Sequence, residues 1–222
     1  MKEYMAYELF RRSKVPSPLA SYAYVTINGK DQGLYLAVEE MDSSFLSRTA
    51  DGKENLYKPE WNELEMDHDR VKEMEEGMPV DASGMKGSDF VYADDQPESY
   101  HDIFDNNVTA ADEGSQQRVI AAIKQLNERT DLEKVLETDE IIRYFAAHNF
   151  LMNYDSYTGK MLHNYYMYEK DGKLMMMPWD YNLGFGYFPM DGVIGHKNDA
   201  GLVVNLGIDT PLIRTEPEER PM

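Results

Sequence analysis

A tightly turned β-hairpin near the C-terminal third constrains the fold of this chain more than any other feature. Strand-forming residues occupy positions 165–168, a second apolar run occupies positions 174–177, and Asp171-Gly172 between them is typical of a type I′ turn. In a hairpin closed by a two-residue turn, the numbers of facing residues have a constant sum. Asn164 is therefore predicted to lie opposite Trp179, next to Asp180, although the sequence separates them widely.

The polar residues around this hairpin predict a site for a divalent cation. Asn164 and Asp180 meet at its open end, and Asp155 lies just upstream, after a predicted helix. Carboxylate and amide oxygens are ligands that suit Mg²⁺. Protein kinases use the same order of an acid, an amide, a hairpin and a second acid. These residues supply the catalytic base and hold two Mg²⁺ ions. The structural alternative for each residue is an Asp or Asn that bonds to nearby backbone amides.

The composition limits the partners of the chain. Its 222 residues include 22 Lys and Arg against 41 Asp and Glu, a formal charge of −19. Nucleic acids and anionic membranes bind basic surfaces, so we expect neither as a partner. Without cysteine, the chain cannot form a disulfide, use a thiolate or hold a cysteine-ligated zinc ion. No apolar run approaches the roughly 20 residues of a membrane span.

Periodicity along the rest of the chain predicts one α+β domain in three parts. Residues 1–58 are expected to form an N-lobe-like sheet with a helix at 4–12, strands at 21–27 and 33–38, and a third strand at 55–58. Residues 59–115 are dense in acids and are interpreted as an insertion whose acidic runs are solvated. Residues 116–222 are expected to form a helical lobe that carries the hairpin. Its helices are predicted over residues 115–129 and, capped by Thr138, up to about residue 153. This order predicts two lobes with a cleft between them.

Two histidines and a methionine run have ordinary interpretations. His148 lies on an apolar helix stripe and is expected to be a buried, hydrogen-bonded core residue. Neither His148 nor His163 is assigned as a metal ligand. The run 175–177 is all methionine and is expected to be a core strand rather than a copper site.

The motifs NYDSYTG, HNYY and PWDYN around the hairpin resemble the CotH kinase family. The earlier segments YVTINGKDQGLYLAVEEMDSSFL and NLYK are similar to that family as well, so the resemblance covers roughly residues 5–60 and 140–190. It implies an atypical protein-kinase-like, two-lobed fold and transfer of phosphate from ATP to Ser or Thr of a protein substrate. Family members also occur as bacterial surface proteins or as modules of secreted proteins, and we expect such a location here. The family's C-terminal helical part is expected to be missing after residue 222.

The resemblance implies three residues that do chemistry or hold metal. Asp155 matches the catalytic acid, and Asn164 and Asp180 match the ligands of Mg²⁺. One departure follows Asp180, where Asn182 stands at a position at which the family commonly has an acid.

The resemblance also implies residues that contact ATP. Lys58 resembles the lysine that reaches the phosphates, with either Glu39 or Glu40 as its ion partner. Trp179 matches a tryptophan that contacts the nucleotide base, and packing behind the hairpin is the alternative for this residue.

Two functions from different classes remain open on the sequence. The first is a Mg²⁺- and ATP-dependent protein Ser/Thr kinase, favoured by Asp155, Asn164 and Asp180. The second is a catalytically weak or inactive kinase-like surface module used for adhesion or scaffolding. The acidic composition, the expected truncation and the lack of a glycine-rich loop at residues 28–33 favour the second.

Overall fold

The computed structural model describes residues 1–50, 55–60, 87–159, 162–187, 212 and 217–222. Helices and strands both build this part of the chain, so the predicted α+β class is confirmed. In chain order the elements are α1 (Lys2–Arg12), β1 (Ala20–Ile27), β2 (Lys30–Val38), α2 (Ser43–Thr49), β3 (Asn55–Tyr57), a 3₁₀ helix (Pro97–Tyr100), α3 (His101–Phe104), α4 (Glu113–Glu128), α5 (Leu132–Val135), α6 (Thr138–Leu151), β4 (Tyr165–Lys170), β5 (Lys173–Pro178) and a last 3₁₀ helix (Pro217–Glu219).

Strands β4 and β5 form the predicted hairpin and pair antiparallel along their whole length. Asp171 and Gly172 have positive φ angles of 52° and 81°, and a type I′ turn requires such a left-handed pair. The pairing continues one step beyond the strands, because the Trp179 N–H donates to the Asn164 carbonyl at 3.3 Å. The predicted meeting of these two residues at the open end is confirmed.

Strand β3 pairs with β4 and not with the first hairpin, which corrects the sheet predicted for residues 1–58. Tyr57 lies opposite Met167, and the sheet order is β3-β4-β5. The physical reason lies in Leu56, which is fully buried beside Tyr168 in a small hydrophobic core. A strand this short carries no local pattern that could identify its partner. The three-part division of the chain stays a prediction.

The first hairpin forms a separate two-stranded sheet of β1 and β2. Asn28 and Gly29 close it with φ angles of 51° and 75°. Most of its side chains are exposed or half-buried, so it adds little to the core.

The three-stranded sheet is buried on both faces. Tyr165 and Met167 pack into the main core with α1, α4 and α6, while Tyr166 and Tyr168 pack into the smaller core with α2. Strands buried on both faces are apolar without alternation, which explains the methionine run in β5. The prediction that this run is a core strand is confirmed for Met176 and Met177, which are fully buried.

Part of the predicted acidic insertion is core. Residues 61–86 lie outside the described residues. Farther along, Phe90, Tyr100 and Ile103 are fully buried and belong to the main core. Within this stretch the acidic residues Asp94, Asp95, Glu98 and Asp105 are exposed, as expected, whereas Asp102 is buried. The apolar residues of the stretch lie on turns and short helices, which leave no regular period in the sequence.

Helices α4 and α6 differ from the predicted helices at their ends. The Asp112 carboxylate accepts the Ser115 N–H at 2.7 Å and caps α4, which therefore begins before the predicted residue 115. Thr138 is the first residue of α6 rather than its cap, and the helix ends at Leu151 because Met152 is left-handed, with a φ of 48°. Within the described ranges, no helix has the length and apolar character needed to cross a membrane.

Candidate functional site

The loop that follows α6 carries Asp155 and is tightly closed. The Gly159 N–H donates to the Ser156 carbonyl at 3.0 Å. A Cβ on Gly159 would lie 1.8 Å from the Tyr154 carbonyl oxygen, so no larger residue fits there. Arg220 braces the same turn, since its guanidinium donates to the Gly159 carbonyl at 2.8 Å. Asp155 therefore stands on a fixed loop and is only 9% exposed.

Both carboxylate oxygens of Asp155 have partners. His163 Nε2 lies 2.9 Å from Oδ1. The Asn164 amide nitrogen donates to Oδ2 at 2.9 Å and to the Asp155 backbone carbonyl, also at 2.9 Å. Asn164 uses its nitrogen for Asp155, and no described residue donates to its amide oxygen, which can therefore accept another ligand. The structure thus brings Asp155 and Asn164 into direct contact, as a shared site requires.

Asp180 directly follows the last pairing of the hairpin. Its backbone is left-handed, with a φ of 46°. The Tyr7 hydroxyl accepts the Asp180 N–H at 3.1 Å, and the Asn153 side chain donates to the Asp180 carbonyl at 3.4 Å. No side chain of the described residues forms a hydrogen bond or ion pair with the Asp180 carboxylate. This carboxylate is half-buried and remains open to a cation.

His148 fixes two segments of the site to α6. Its Nδ1 lies 2.7 Å from the Tyr181 hydroxyl and its Nε2 lies 2.7 Å from the Thr158 hydroxyl. Burial lowers the pKa of His148 to about 3, so the imidazole is neutral at physiological pH. The prediction of a buried core histidine is confirmed. The contacts connect the loop of Asp155 with the residue after Asp180.

Trp179 packs against the hairpin. Its ring meets Tyr166 edge-on, with 5.6 Å between the centroids, and it borders the smaller core. Trp179 is half-buried, so part of the indole remains accessible. One side of the Trp179 ring thus packs behind the hairpin, as the alternative interpretation expected. The contact of this ring with a nucleotide base stays a prediction.

Lys58 has a different ion partner from either of those predicted. Its ammonium group pairs with Glu60. Glu39 is engaged elsewhere, because its carboxylate accepts Arg48 Nε at 3.1 Å and closes the first hairpin against α2. The predicted pairing of Lys58 with Glu39 or Glu40 is therefore wrong for this structure. Glu60 lies only two residues after Lys58, so the observed ion pair is local in sequence.

Glu40 nevertheless lies near the same group of residues. Burial, together with the smaller effects of the Glu60 and Glu40 carboxylates, raises the pKa of Tyr166 to about 12. Both acids are thus within electrostatic reach of the Tyr166 hydroxyl. Since Tyr166 also contacts Trp179, the residues around Lys58 lie at the same open end of the sheet as Trp179.

The oxygen donors at this end of the hairpin fit a magnesium ion. Asp180 supplies a carboxylate with no hydrogen-bond or ion partner among the described side chains, and Asn164 supplies an amide oxygen; both are hard ligands. In the described part of the chain, no three His, Cys, Asp or Glu side chains cluster closely enough to hold a metal alone. Mg²⁺ is commonly bound by one or two carboxylates together with substrate phosphates, and the pair observed here suits that mode.

Three residues at the site were not found from the sequence. His163 contacts Asp155, and Tyr7 and Asn153 hold the Asp180 peptide. The position of His163 directly before Asn164 was an available signal. Tyr7 gave no such signal, because a tyrosine on the apolar face of a helix is first of all a core residue.

Comparison with known proteins agrees with this geometry. The family model described as CotH kinase protein matches residues 1–214. The inner spore coat protein H of Bacillus subtilis (strain 168) is 24% identical over 193 residues, which cover 84% of this chain and 46% of that protein. The chain thus spans about half the length of this curated relative. Because the family model covers nearly the whole sequence, the chain belongs to the CotH kinase protein family.

Proposed function

We propose that this protein is an atypical protein kinase that transfers the γ-phosphate of ATP to Ser or Thr side chains with Mg²⁺. The observation that carries the proposal is the 2.9 Å hydrogen bond from Asn164 to Asp155, at the hairpin end where Asn164 also pairs with Trp179, the residue before Asp180. Protein kinases use an acid, an amide and a second acid in these positions. We further propose that the α+β chain has the two-lobed arrangement of kinases, with β3 and Lys58 beside the cleft.

Asp155 aligns the acceptor hydroxyl. In the reaction the hydroxyl oxygen forms a bond with the γ-phosphorus, the bond between that phosphorus and the β,γ-bridging oxygen breaks, and ADP leaves. The hydroxyl proton passes to the Asp155 carboxylate. Donation from His163 and Asn164 fixes the rotation of that carboxylate, so that one of its lone pairs can point at the substrate.

Asn164 and Asp180 would hold Mg²⁺ through oxygen atoms. When bound, the ion neutralises phosphate charge and aligns the β- and γ-phosphates. Since the chain carries a formal charge of −19, a polyanionic nucleotide needs such local compensation.

Lys58 would supply the other positive charge at the nucleotide. Its pairing with Glu60 keeps the ammonium group in place when no phosphate is present. Trp179 would contact the base with the part of its ring that Tyr166 leaves uncovered. Glu40 would contribute only its negative charge, which acts on the nearby Tyr166 hydroxyl. The Glu39 carboxylate accepts a hydrogen bond from Arg48, so we propose no ion pair between Glu39 and Lys58. Glu39 would only line the side of the cleft where the nucleotide binds.

A binding module is the second candidate, and a specific observation favours it. The first hairpin closes with Asn28-Gly29 and lacks the glycine-rich loop with which kinases cover phosphates. Such a protein would keep the fold and serve adhesion or scaffolding on a surface. The relative's name, inner spore coat protein H, supports a surface or coat location for either function.

Thermal-shift measurements with ATP, with and without Mg²⁺, separate the two candidates. If the protein is a kinase, Mg²⁺ and ATP together should stabilise the wild type, and this stabilisation should disappear in Asp180→Ala. It should persist in the control Asp139→Ala, because the Asp139 side chain at the start of α6 is 87% exposed. Ligand-dependent stabilisation follows from binding to the folded state alone. Stabilisation that is equal in the wild type and Asp180→Ala would reject Asp180 as a metal ligand. No stabilisation of the wild type would favour the binding module.

A further inference from the structure

A hydrogen bond from the first helix reaches the backbone of the proposed metal ligand. Tyr7 is 2% exposed and lies on the inner face of α1. Its hydroxyl donates to the Glu3 carboxylate at 2.9 Å and accepts the Asp180 N–H at 3.1 Å. The Tyr7 hydroxyl therefore acts both as a donor and as an acceptor. Its bond to Asp180 joins the first helix to a residue near the other end of the chain.

The contact matters because the backbone of Asp180 is in the left-handed region, with a φ of 46°. Asp adopts this region more readily than most residues that have a side chain, and contacts to its backbone stabilise it further. Two side chains hold the backbone of Asp180. Tyr7 takes its N–H and Asn153 donates to its carbonyl. This backbone conformation sets the direction in which the Asp180 side chain leaves the main chain.

Helix α1 is itself firmly packed. The Phe10 ring stacks on Tyr144 of α6 at 5.5 Å and meets Tyr181 edge-on at 5.0 Å between centroids. Tyr181 is the neighbour of Asp180 and is fully buried. The helix therefore contacts this turn at two points, one apolar through Phe10 and one polar through Tyr7.

We propose that Tyr7 is a positioning residue that sets the geometry of the Asp180 carboxylate for the divalent cation. The inference rests on the proposed function, since it assigns the cation to Asp180. Groups that orient a metal ligand from behind typically change metal affinity by about 10- to 100-fold when they are removed. Tyr7 acts through the backbone N–H of the ligand, so we expect the lower end of this range.

The test is a Mg²⁺ titration of the full chain at fixed ATP, read by thermal shift and by calorimetry. Tyr7→Phe removes only the hydroxyl and should raise the Mg²⁺ concentration at half-saturation about 10-fold. Tyr100→Phe is the matched control. The Tyr100 hydroxyl is also buried and accepts a backbone N–H, that of Ala93 at 3.0 Å, in a loop that does not touch Asp180. This control should leave the half-saturation concentration unchanged.

A second readout needs no nucleotide. The chain has 2 tryptophans, and in a Trp61→Phe background Trp179 alone reports on the turn at Asp180. Tyr7→Phe should increase quenching of its fluorescence by acrylamide, because the turn loosens. If Tyr7→Phe does not fold, Glu3→Ala keeps the phenol and removes its acceptor, and it should shift the Mg²⁺ dependence in the same direction by a smaller factor.

The outcomes distinguish the inference from the proposed function. A wild type that binds no Mg²⁺ and ATP together would overturn the proposed function, while increased quenching of Trp179 in Tyr7→Phe would still support the structural role of Tyr7. A wild type that binds, with Tyr7→Phe equal to it in Mg²⁺ dependence and in quenching, would overturn the inference. Equal weakening in Tyr7→Phe and Tyr100→Phe would also overturn it, because the effect would then be a general loss of stability.

Discussion

Replacing Glu140 by glutamine should change how the stability of the protein depends on pH. Glu140 lies in the first turn of α6 and is 6% exposed. One carboxylate oxygen accepts the Met176 N–H at 3.4 Å, and the other is buried with no hydrogen bond to any described residue. Burial raises the pKa of Glu140 to about 8, against an ordinary value of 4.5. Above that pKa the folded protein carries a buried, poorly solvated charge.

The two pKa values set the size and sign of the effect. The folded pKa is raised, so the contribution of Glu140 to stability is fully present below pH 4.5 and is lost as the pH rises towards 8. One pKa unit corresponds to about 1.4 kcal/mol, so ionisation lowers the free energy of unfolding by about 3 kcal/mol at pH 7. Above pH 9 the loss in the free energy of unfolding reaches its limit of about 5 kcal/mol.

Urea unfolding followed by circular dichroism at pH 4.5, 6, 7.5 and 9 measures the effect. Glutamine keeps an acceptor for the Met176 N–H and cannot ionise. The free energy of unfolding of Glu140→Gln, relative to the wild type, should therefore rise by about 3–5 kcal/mol from pH 4.5 to pH 9. At pH 4.5 the variant should be about 1–3 kcal/mol less stable, because its amide N–H₂ lacks a buried acceptor.

The control is Glu133→Gln in the same part of the chain. Glu133 is exposed on α5 and is not among the charged groups that shift the pKa of Glu140, so its neutralisation should not alter the pH dependence. The reasoning is refuted if Glu140→Gln and the wild type lose stability in parallel between pH 4.5 and pH 9.

Three further predictions concern the site and its support. Asp155→Asn keeps the hydrogen-bonding shape but cannot take a proton, so phosphoryl transfer from labelled ATP to a generic acceptor protein should fall by about 10²-fold or more while Mg²⁺-dependent ATP binding is retained. His163→Leu removes the donor to Asp155 and should lower kcat without changing the KM for ATP, whereas His163→Gln, which replaces the Nε2 donor, should restore most of the rate. The pKa of His148 is lowered from 6.5 to about 3 in the folded state, so its contribution to stability is complete above pH 6.5 and is lost as the pH falls. As the pH falls from 6.5 to 4, the urea concentration at the unfolding midpoint should therefore decrease more steeply in the wild type than in His148→Gln.

The local part of the fold could be predicted from the sequence. Asp171-Gly172 specifies a left-handed turn by its own chemistry, and a two-residue turn fixes the register of the whole hairpin. The meeting of Asn164 with Trp179 followed from that register alone. His148 was also interpreted correctly, because an apolar stripe on a helix identifies a buried face.

The errors concern contacts between residues that are distant in sequence. β3 was placed in the wrong sheet because its partner is chosen by the core that Leu56 joins, and that core forms only when α2 and β4 come together. The ion partner of Lys58 is the exception, because Glu60 lies only two residues away in the sequence. Tyr7 was found on a buried helix face, but its bond to Asp180 spans most of the chain and leaves no pattern in the sequence.

The distribution of hydrogen bonds around the site favours the enzyme over the binding module. His148, Tyr7 and Asn153 each use buried polar groups to fix the backbone around Asp155 and Asp180. Buried polar groups are costly unless they are paired, and a scaffold could replace them by apolar packing. The Asp180 carboxylate, by contrast, has no partner among the described side chains. A site whose backbone is held from several sides, while one carboxylate has no partner among the described side chains, suits the proposed binding of Mg²⁺ together with ATP.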